Sequence, residues 1–198
     1  MPEKVLLLAS ASPRRRQMLQ GMGVRFRAVK SPYREEPHAG AVPPHAYVQE
    51  HARGKACAAA GRHANSLIIG ADTVVVYRRR ILGKPATMQE AREYLRLLNG
   101  RTHAVYTGLC LADTAEDTVV TDYAKTLVTF RELTAGEIDL YLARINPLDK
   151  AGAYAIQDEG SVIVQRIQGC YYNVVGFPIA KLEEMLLVKG VSLFQYMQ

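Results

Sequence analysis

The sequence predicts an α/β fold in which a mixed β-sheet is flanked by helices. Short apolar and β-branched runs alternate along the chain with helical patterns, and hairpin-like pairs of strands interrupt the alternation. The hairpins argue against a purely parallel sheet. At 198 residues the chain is predicted to form one domain over residues 1–198, a size that buries roughly 70% of the unfolded surface.

The first strand and the first helix are predicted from the opening stretch VLLLASASPRRR. Residues 5–9 form a short apolar run, Ser12 is a favourable N-cap, and Pro13 suits the first helical position. Gly21 or Gly23 ends the helix. Three arginines therefore fall in the first turn, where the helix dipole disfavours a cation by about 0.3 to 1 kcal/mol.

The middle of the chain is predicted from its proline-rich and β-branched segments. The predicted elements are a loop at residues 30–47, a helix from there to about residue 60, a strand at 67–69, a break at 70–73, a second strand at 74–77, and a turn at 78–80 into a short returning strand.

The second half is predicted from caps and periodicity. Thr87 caps a helix that Asn99-Gly100 closes, and Thr134 with Glu137 forms a capping-box pattern for another helix. The other predicted elements are a long hairpin at 102–112 and 121–131 around the acidic turn DTAEDT, strands at SVIVQRI and YYNVVG, and a C-terminal helix at IAKLEEMLLVKG.

Charge indicates an anionic partner. The formal charge is +6 and the sequence pI is about 9.3, which favours a phosphate ester, a nucleotide or a nucleic acid. The positive charge lies in short clusters at 14–16 and 78–80 rather than in a basic tail. This pattern leaves a small phosphorylated ligand and a polynucleotide both open.

Cysteine usage and hydropathy indicate the compartment. The three cysteines are odd in number, widely spaced and outside any CxxC pair, which argues against a disulfide framework and a thiolate zinc site. No stretch approaches the roughly 18 apolar residues of a membrane span. The sequence therefore predicts a soluble, cytoplasmic protein with no membrane partner.

The end of the first strand and the start of the first helix form a candidate anion site. Backbone N–H groups and the Ser10 and Ser12 hydroxyls meet there. A bound polyphosphate would turn Arg14 and Arg15 from a cost into an attraction, whereas Arg16 points to the other face of the helix. The alternative is three solvated arginines that tolerate the dipole.

Asp72, in the stretch GADT, is the candidate catalytic carboxylate. It follows an apolar run, where it can bind Mg²⁺, orient a water or act as a general base; the alternative is a turn residue. Glu35, Glu36 and Asp149 are candidate acidic partners. None of the five histidines has metal-ligand spacing, which favours Mg²⁺ over zinc.

Three further polar side chains are candidate binding residues. Lys55 and Lys84 can neutralise phosphate charge, although each alone is more often a solvated lysine. Gln157, in the Gly- and Ala-rich stretch DKAGAYAIQ, can present a donor and an acceptor to a base edge. The alternative for that stretch is a tight connection between a helix and a strand.

Taken together, these stretches resemble the Maf family of nucleoside triphosphate pyrophosphatases. The matching pieces are LASASPRRRQML, GADTVV, LGKP, PLDKAGAYAIQ and GCYYNVVGFP, in family order over almost the full length. DKAGAYAIQ and the Thr73 that follows Asp72 resemble the branch that acts on dTTP and UTP.

The resemblance implies an inosine-triphosphatase-like, two-lobed fold and a homodimer. It implies Asp72 as proton acceptor, with Glu35 and Asp72 near a divalent cation, Mg²⁺ or alternatively Mn²⁺; Glu36 is the alternative to Glu35. It places Arg14, Lys55 and Lys84 near the phosphates, and associates Arg14, Thr73 and Gln157 with substrate choice. One departure is Gly54, since the family often has Glu before the matching lysine.

The reaction implied is hydrolysis of dTTP or UTP, or of a modified pyrimidine nucleotide, to the monophosphate and pyrophosphate. The rival hypothesis is a regulator that binds nucleotide or nucleic acid through the same basic edge. Because paired carboxylates weaken the binding of a polyanion unless a cation is present, the acidic residues favour metal-assisted chemistry without stable nucleic-acid binding. A metal requirement for turnover separates the two.

Overall fold

A computed structural model describes residues 4–35, 42–157 and 159–198. Its sheet has seven strands in the order β2-β1-β3-β5-β6-β7, with β4 paired to β3. The strands are β1 (Val5–Ala9), β2 (Arg27–Val29), β3 (Ser66–Tyr77), β4 (Arg80–Leu82), β5 (Thr102–Asp113), β6 (Thr118–Phe130) and β7 (Val164–Gln168).

The sheet is mixed, which confirms the predicted fold class. Strand β1 pairs in parallel with β2 and with β3, whereas β4 is antiparallel to β3 and β7 is antiparallel to β6. The helices are α1 (Pro13–Gly21), α2 (Pro44–Ala60), α3 (Met88–Leu98), α4 (Ala135–Arg144), α5 (Gly160–Ile163), α6 (Tyr171–Val175) and α7 (Ile179–Val188).

The chain divides into two compact units. Unit 1 comprises Met1–Asp72, Thr107–Ala124 and Gly176–Gln198, and unit 2 comprises Thr73–Tyr106 and Lys125–Val175. In unit 1, α2 covers one side of β1 and β3 through Ala52, Ala56 and Ala59, while α7 contributes Leu182 and Leu186 to a second cluster of buried side chains. The core of unit 2 joins α3 and α4 through Leu95, Leu98, Ile138 and Leu142.

Local signals located several element ends correctly. Strand β1 covers the predicted residues, and α1 begins at Pro13 and ends at Gly21. The Thr87 hydroxyl accepts a hydrogen bond from the backbone N–H of Glu90. Thr134 and Glu137 form the predicted capping box. The Thr87 cap and this capping box could be predicted because each depends only on residues three apart in the chain.

The predicted break at 70–73 is wrong, because β3 runs without interruption through these residues. Gly70 is instead a point of close approach. A Cβ built there would lie 2.0 Å from the backbone oxygen of Ala52, so only glycine lets α2 pack this closely on the strand.

Three other predictions are corrected, among them the strand SVIVQRI, whose first three residues belong to α5. Helix α2 begins at Pro44, inside the predicted loop 30–47, since proline suits a first helical position. The segment YYNVVG forms α6 rather than a strand. The Asn173 side chain is buried there and donates hydrogen bonds to the Val105 carbonyl and the Thr126 hydroxyl, which stabilises the helical turn against β propensity.

The described part of the chain has no helix that is both long and apolar enough to cross a membrane. Its three cysteines are free thiols.

The buried His103 of unit 2 makes stability depend on pH. Its Nε2 lies 2.8 Å from the Tyr154 hydroxyl, whereas its Nδ1 has no partner among the described residues. Burial lowers the pKa of His103 to about 4. Since the unfolded histidine takes up its proton near pH 6.5, acid favours the unfolded chain, and the free energy of unfolding falls by about 3 kcal/mol between about pH 6.5 and pH 4.

Urea denaturation across that range measures this loss. The variant His103→Gln lacks this buried imidazole, so we expect its free energy of unfolding to depend less steeply on pH than that of the parent. Equal slopes for parent and variant would contradict the assignment.

Candidate functional site

The turn between β1 and α1 presents two serines in unit 1. The Ser10 hydroxyl accepts hydrogen bonds from the backbone N–H of Ser12 and from Nη1 of Arg15, both at 3.2 Å. Ser12 occupies the N-cap position of α1, and its side chain makes no capping hydrogen bond. The turn therefore holds Ser10 firmly at the end of β1.

The three arginines of α1 have different surroundings, as predicted from the helix face. Arg14 is half-buried, Arg15 is buried and Arg16 is exposed. Arg15 donates through Nε to the Gly176 carbonyl and through Nη1 to the Ala71 carbonyl, both at 2.8 Å. Burial lowers its pKa from the ordinary value, and the charge of Asp72 opposes that shift. Carbonyl acceptors thus offset the unfavourable helix dipole at Arg15.

Replacing Arg15 with alanine is expected to destabilise the fold. The change leaves the Ala71 and Gly176 carbonyls without this charged donor, which costs about 2 to 3 kcal/mol. Urea denaturation measures the loss, with Arg16→Ala as the matched control at the exposed neighbour, expected within about 0.5 kcal/mol of the parent. An Arg15→Ala protein as stable as Arg16→Ala would show that these hydrogen bonds contribute little.

A chain of three charged side chains lies beside Arg15 in unit 1. Lys55 Nζ contacts Asp72 Oδ1 at 2.7 Å and Glu35 Oε1 at 2.6 Å. Asp72 is 8% exposed, whereas the Glu35 side chain is 54% exposed. One ammonium therefore joins a buried carboxylate to an exposed one.

Three separate elements position this chain of charges. Asp72 lies in β3, Lys55 projects from α2, and Glu35 belongs to the segment that follows β2. The close approach of α2 to β3 at Gly70 brings the lysine within reach of the strand. Glu36, the alternative to Glu35, lies outside the described residues.

Aromatic side chains that the sequence analysis missed line the same region. The rings of Tyr47 and His51 lie 4.2 Å apart between centroids, and the rings of Tyr33 and His51 lie 5.7 Å apart. Burial raises the pKa of Tyr47, and the charges of Asp72 and Glu35 raise it further. His51 precedes Lys55 by four residues, a spacing that places both on one helix face; this was the available signal.

The two carboxylates fit a hard divalent cation. One oxygen of each lies within 2.7 Å of the same ammonium nitrogen, so a cation that replaced this nitrogen would have a carboxylate on each side. Mg²⁺ is commonly held by one or two carboxylates together with waters and substrate phosphates. Among the described residues, no group of three His, Cys, Asp or Glu side chains is arranged to hold a metal without such help.

Three predicted binding residues belong to unit 2. Thr73 directly follows Asp72 in β3, and Lys84 and Gln157 lie in two connecting segments. The backbone N–H of Gly152 donates to the Gly83 carbonyl at 3.0 Å, which joins the LGKP segment to the DKAGAYAIQ segment. Gly152 has φ +69, which a residue with a side chain rarely adopts.

Comparison with known proteins gives consistent matches over most of the chain. A family model described as "Maf-like protein" matches residues 5–188. The dTTP/UTP pyrophosphatase of Bacillus cereus (strain ATCC 10987 / NRS 248) is 50% identical over 179 residues, which cover 90% of this chain and 87% of the relative. The dTTP/UTP pyrophosphatase of Bacillus anthracis (strain CDC 684 / NRRL 3495) is 49% identical over 89% of this chain and 91% of the relative.

Among solved structures, a nucleoside-triphosphatase / dITP/XTP pyrophosphatase from Mycobacterium abscessus is 17% identical, with a TM-score of 0.42 over 79% of this chain and 92% of that chain. This likeness is too distant to bear on function.

Proposed function

This chain belongs to the Maf family, and from that premise we propose that it hydrolyses dTTP and UTP to the monophosphate and pyrophosphate. The observation that carries the proposal is the identity of about half of the residues, over about nine-tenths of the chain, with relatives named dTTP/UTP pyrophosphatase. The grouping of Asp72, Lys55 and Glu35 supplies the charges that such a reaction needs. Modified pyrimidine triphosphates belong to the same proposed substrate class.

In this proposal Asp72 accepts the proton of the attacking water. The oxygen of that water bonds to the α-phosphorus, the bond from the α-phosphorus to the bridging oxygen breaks, and pyrophosphate leaves. The low exposure of Asp72 supports the role, because a carboxylate shielded from bulk water keeps its orientation toward one bound molecule.

Asp72 and Glu35 are the residues proposed to hold the divalent cation. Mg²⁺, or Mn²⁺ in its place, supplies positive charge beside the phosphates when bound. Lys55 is proposed to turn from the carboxylates toward the phosphates as the substrate binds. When no divalent cation is bound, its two ion pairs keep the ammonium between the carboxylates and offset the repulsion between them.

The remaining predicted residues are proposed to bind the triphosphate. Ser10, Ser12 and Arg14 lie at or near the N-terminus of α1, a favourable place for an anion. Lys84 is proposed to neutralise phosphate charge, and Thr73 and Gln157 are proposed to select the base. Arg15 donates to two backbone carbonyls and to Ser10, which supports a part in holding the turn for the phosphates.

The biological setting follows from the same proposal. We propose that the enzyme acts in the cytoplasm, as a homodimer, on free nucleotides rather than on nucleic acid. The homodimer rests on the family resemblance, and the reducing compartment rests on the cysteine usage.

Product analysis over a panel of triphosphates tests the reaction. UTP and dTTP, with ATP and GTP for comparison, are incubated with and without Mg²⁺, and the products are separated by ion-exchange chromatography. We expect monophosphate and pyrophosphate from UTP and dTTP, in the presence of the cation. Release of orthophosphate alone, or turnover without any divalent cation, would contradict the proposal.

Gln157→Ala is expected to weaken discrimination between pyrimidine and purine triphosphates. Losing a polar partner of the base costs about 1 to 3 kcal/mol in the ratio of kcat/KM values, about 5- to 150-fold. Competition assays with UTP and GTP measure the ratio, and Gln165→Ala, at an exposed position of β7, is the control. An unchanged ratio would remove Gln157 from the base pocket.

A further inference from the structure

The segment that carries Glu35 is held against α2. The Ser31 hydroxyl donates to the backbone carbonyl of Lys55 at 2.8 Å. The same hydroxyl accepts a hydrogen bond from the backbone N–H of Tyr33 at 3.2 Å. Ser31 therefore ties this segment to the helical turn that carries Lys55.

The ring of Tyr33 occupies the space beside Gly54. A Cβ built at residue 54 would lie 2.2 Å from Cε2, 2.5 Å from Cζ and 2.6 Å from Cδ2 of that ring. These distances are far below van der Waals contact, so any larger residue at position 54 displaces the ring. The Tyr33 hydroxyl lies 3.3 Å from Nδ1 of His51, one turn earlier on the helix.

Helix stability does not explain a glycine at position 54. Gly54 lies well inside the 17 residues of α2, where glycine is a much weaker helix former than alanine. The position of the Tyr33 ring explains the glycine, because a side chain at residue 54 would clash with the ring.

The contact between Glu35 and Lys55 cannot by itself fix the carboxylate. More than half of the Glu35 side chain is exposed, and exposed ion pairs hold side chains weakly. Tyr33 precedes Glu35 by only two residues, so the fixed position of its ring beside Gly54 limits where the Glu35 backbone can lie.

We propose that Tyr33, seated on Gly54, is a positioning residue that keeps Glu35 beside Asp72 for the divalent cation. The inference rests on the proposed function, because the cation is the one that the proposed reaction uses. Tyr33 acts through Glu35 and needs no contact with the nucleotide. In this proposal Gly54 leaves the space that the Tyr33 ring occupies, and the ring in that space positions Glu35.

The test is Mn²⁺ binding, followed from the EPR signal of the free ion. It uses the full chain alone and in the presence of the α,β-methylene analogue of UTP. We expect Tyr33→Ala and Gly54→Ala each to weaken Mn²⁺ binding about 10-fold, the usual effect of losing a residue that orients a metal ligand. Tyr33→Phe keeps the ring and is expected to bind Mn²⁺ about as tightly as the parent.

A double variant distinguishes positioning from a general loss of stability. Once the ring is absent, the methyl group of Gly54→Ala meets no obstacle. The double variant Tyr33→Ala/Gly54→Ala is therefore expected to bind Mn²⁺ with the affinity of Tyr33→Ala. It is expected to melt at a higher temperature than Tyr33→Ala, because alanine is a better helix former than glycine. Gly61→Ala is the matched control, since a Cβ there meets no atom within 4 Å. Turnover of the single variants is expected to recover at saturating Mg²⁺.

The inference is overturned by parental Mn²⁺ affinity in both Tyr33→Ala and Gly54→Ala, by additive losses in the double variant, or by Tyr33→Phe as weak as Tyr33→Ala. If Tyr33→Ala fails to fold, Gly54→Ala and Tyr33→Phe still decide the question. A parent that releases no pyrophosphate would refute the proposed function, whereas the Mn²⁺ affinities of the chain alone still decide the role of Tyr33.

Discussion

Replacing Asp72 with asparagine is expected to lower the turnover of dTTP and UTP about 10²- to 10⁴-fold, the usual loss when a general base is removed. Asparagine keeps the shape of the side chain but loses its charge and its capacity to accept a proton. Nucleotide binding is expected to survive, because the basic residues remain. The rate of pyrophosphate release at saturating Mg²⁺ measures the effect.

The control for this change is Asp139→Asn in unit 2. Asp139 also pairs with a basic side chain, Arg92, at 2.6 Å, and it is about half exposed. Its variant is expected to retain parental turnover. A folded Asp72→Asn protein with parental turnover would show that the carboxylate of Asp72 is not the proton acceptor.

Lys55→Met is expected to have the second largest effect. Without the ammonium, the carboxylates of Glu35 and Asp72 lose the ion-pair partner that they share, so the free energy of unfolding falls in the absence of a divalent cation. Added Mg²⁺ is then expected to raise the melting temperature more than it does in the parent. Turnover is expected to fall about 10²-fold or more, because a cation beside the phosphates is lost.

The chain offers a matched control in Lys181→Met. Lys181 also lies between two carboxylates, Asp122 at 3.0 Å and Glu184 at 2.6 Å, on the surface of unit 1. This variant is expected to keep parental turnover and a parental response to Mg²⁺. Equal responses to Mg²⁺ in the two lysine variants would contradict a cation site at Glu35 and Asp72.

Sequence reasoning predicted most where the signal is local. Strand β1 and helix α1 follow from an apolar run, an N-cap and a proline that are adjacent in the chain. The burial of Arg15 between two exposed or half-exposed neighbours also follows from helix geometry alone.

The errors arose where distant contacts override local preference. The β-branched segment at α6 forms a helix because Asn173 bonds to Val105 and Thr126, which are distant in the sequence. Gly70 resembles a strand break by composition, yet it marks the approach of α2 to β3. In both cases the deciding partner is far away in the sequence.

The three charged residues of the candidate site were named from the sequence, but the ion pairs between them were not predicted. Asp72 and Lys55 were singled out by residue type and context, and the family resemblance favoured Glu35 over Glu36. The lysine that bridges the two carboxylates appears only in three dimensions. Tyr33 gave no signal in the sequence, because its proposed role depends on the absence of a side chain at position 54.

The position of oxygen transfer tests the central claim most directly. Turnover of dTTP in water enriched in ¹⁸O, followed by mass spectrometry of both products, shows which phosphorus the water attacked. Attack at the α-phosphorus, with Asp72 as the proton acceptor, predicts one ¹⁸O atom in the dTMP and none in the pyrophosphate. Label in the pyrophosphate with unlabelled dTMP would place the attack at the β-phosphorus and contradict the account.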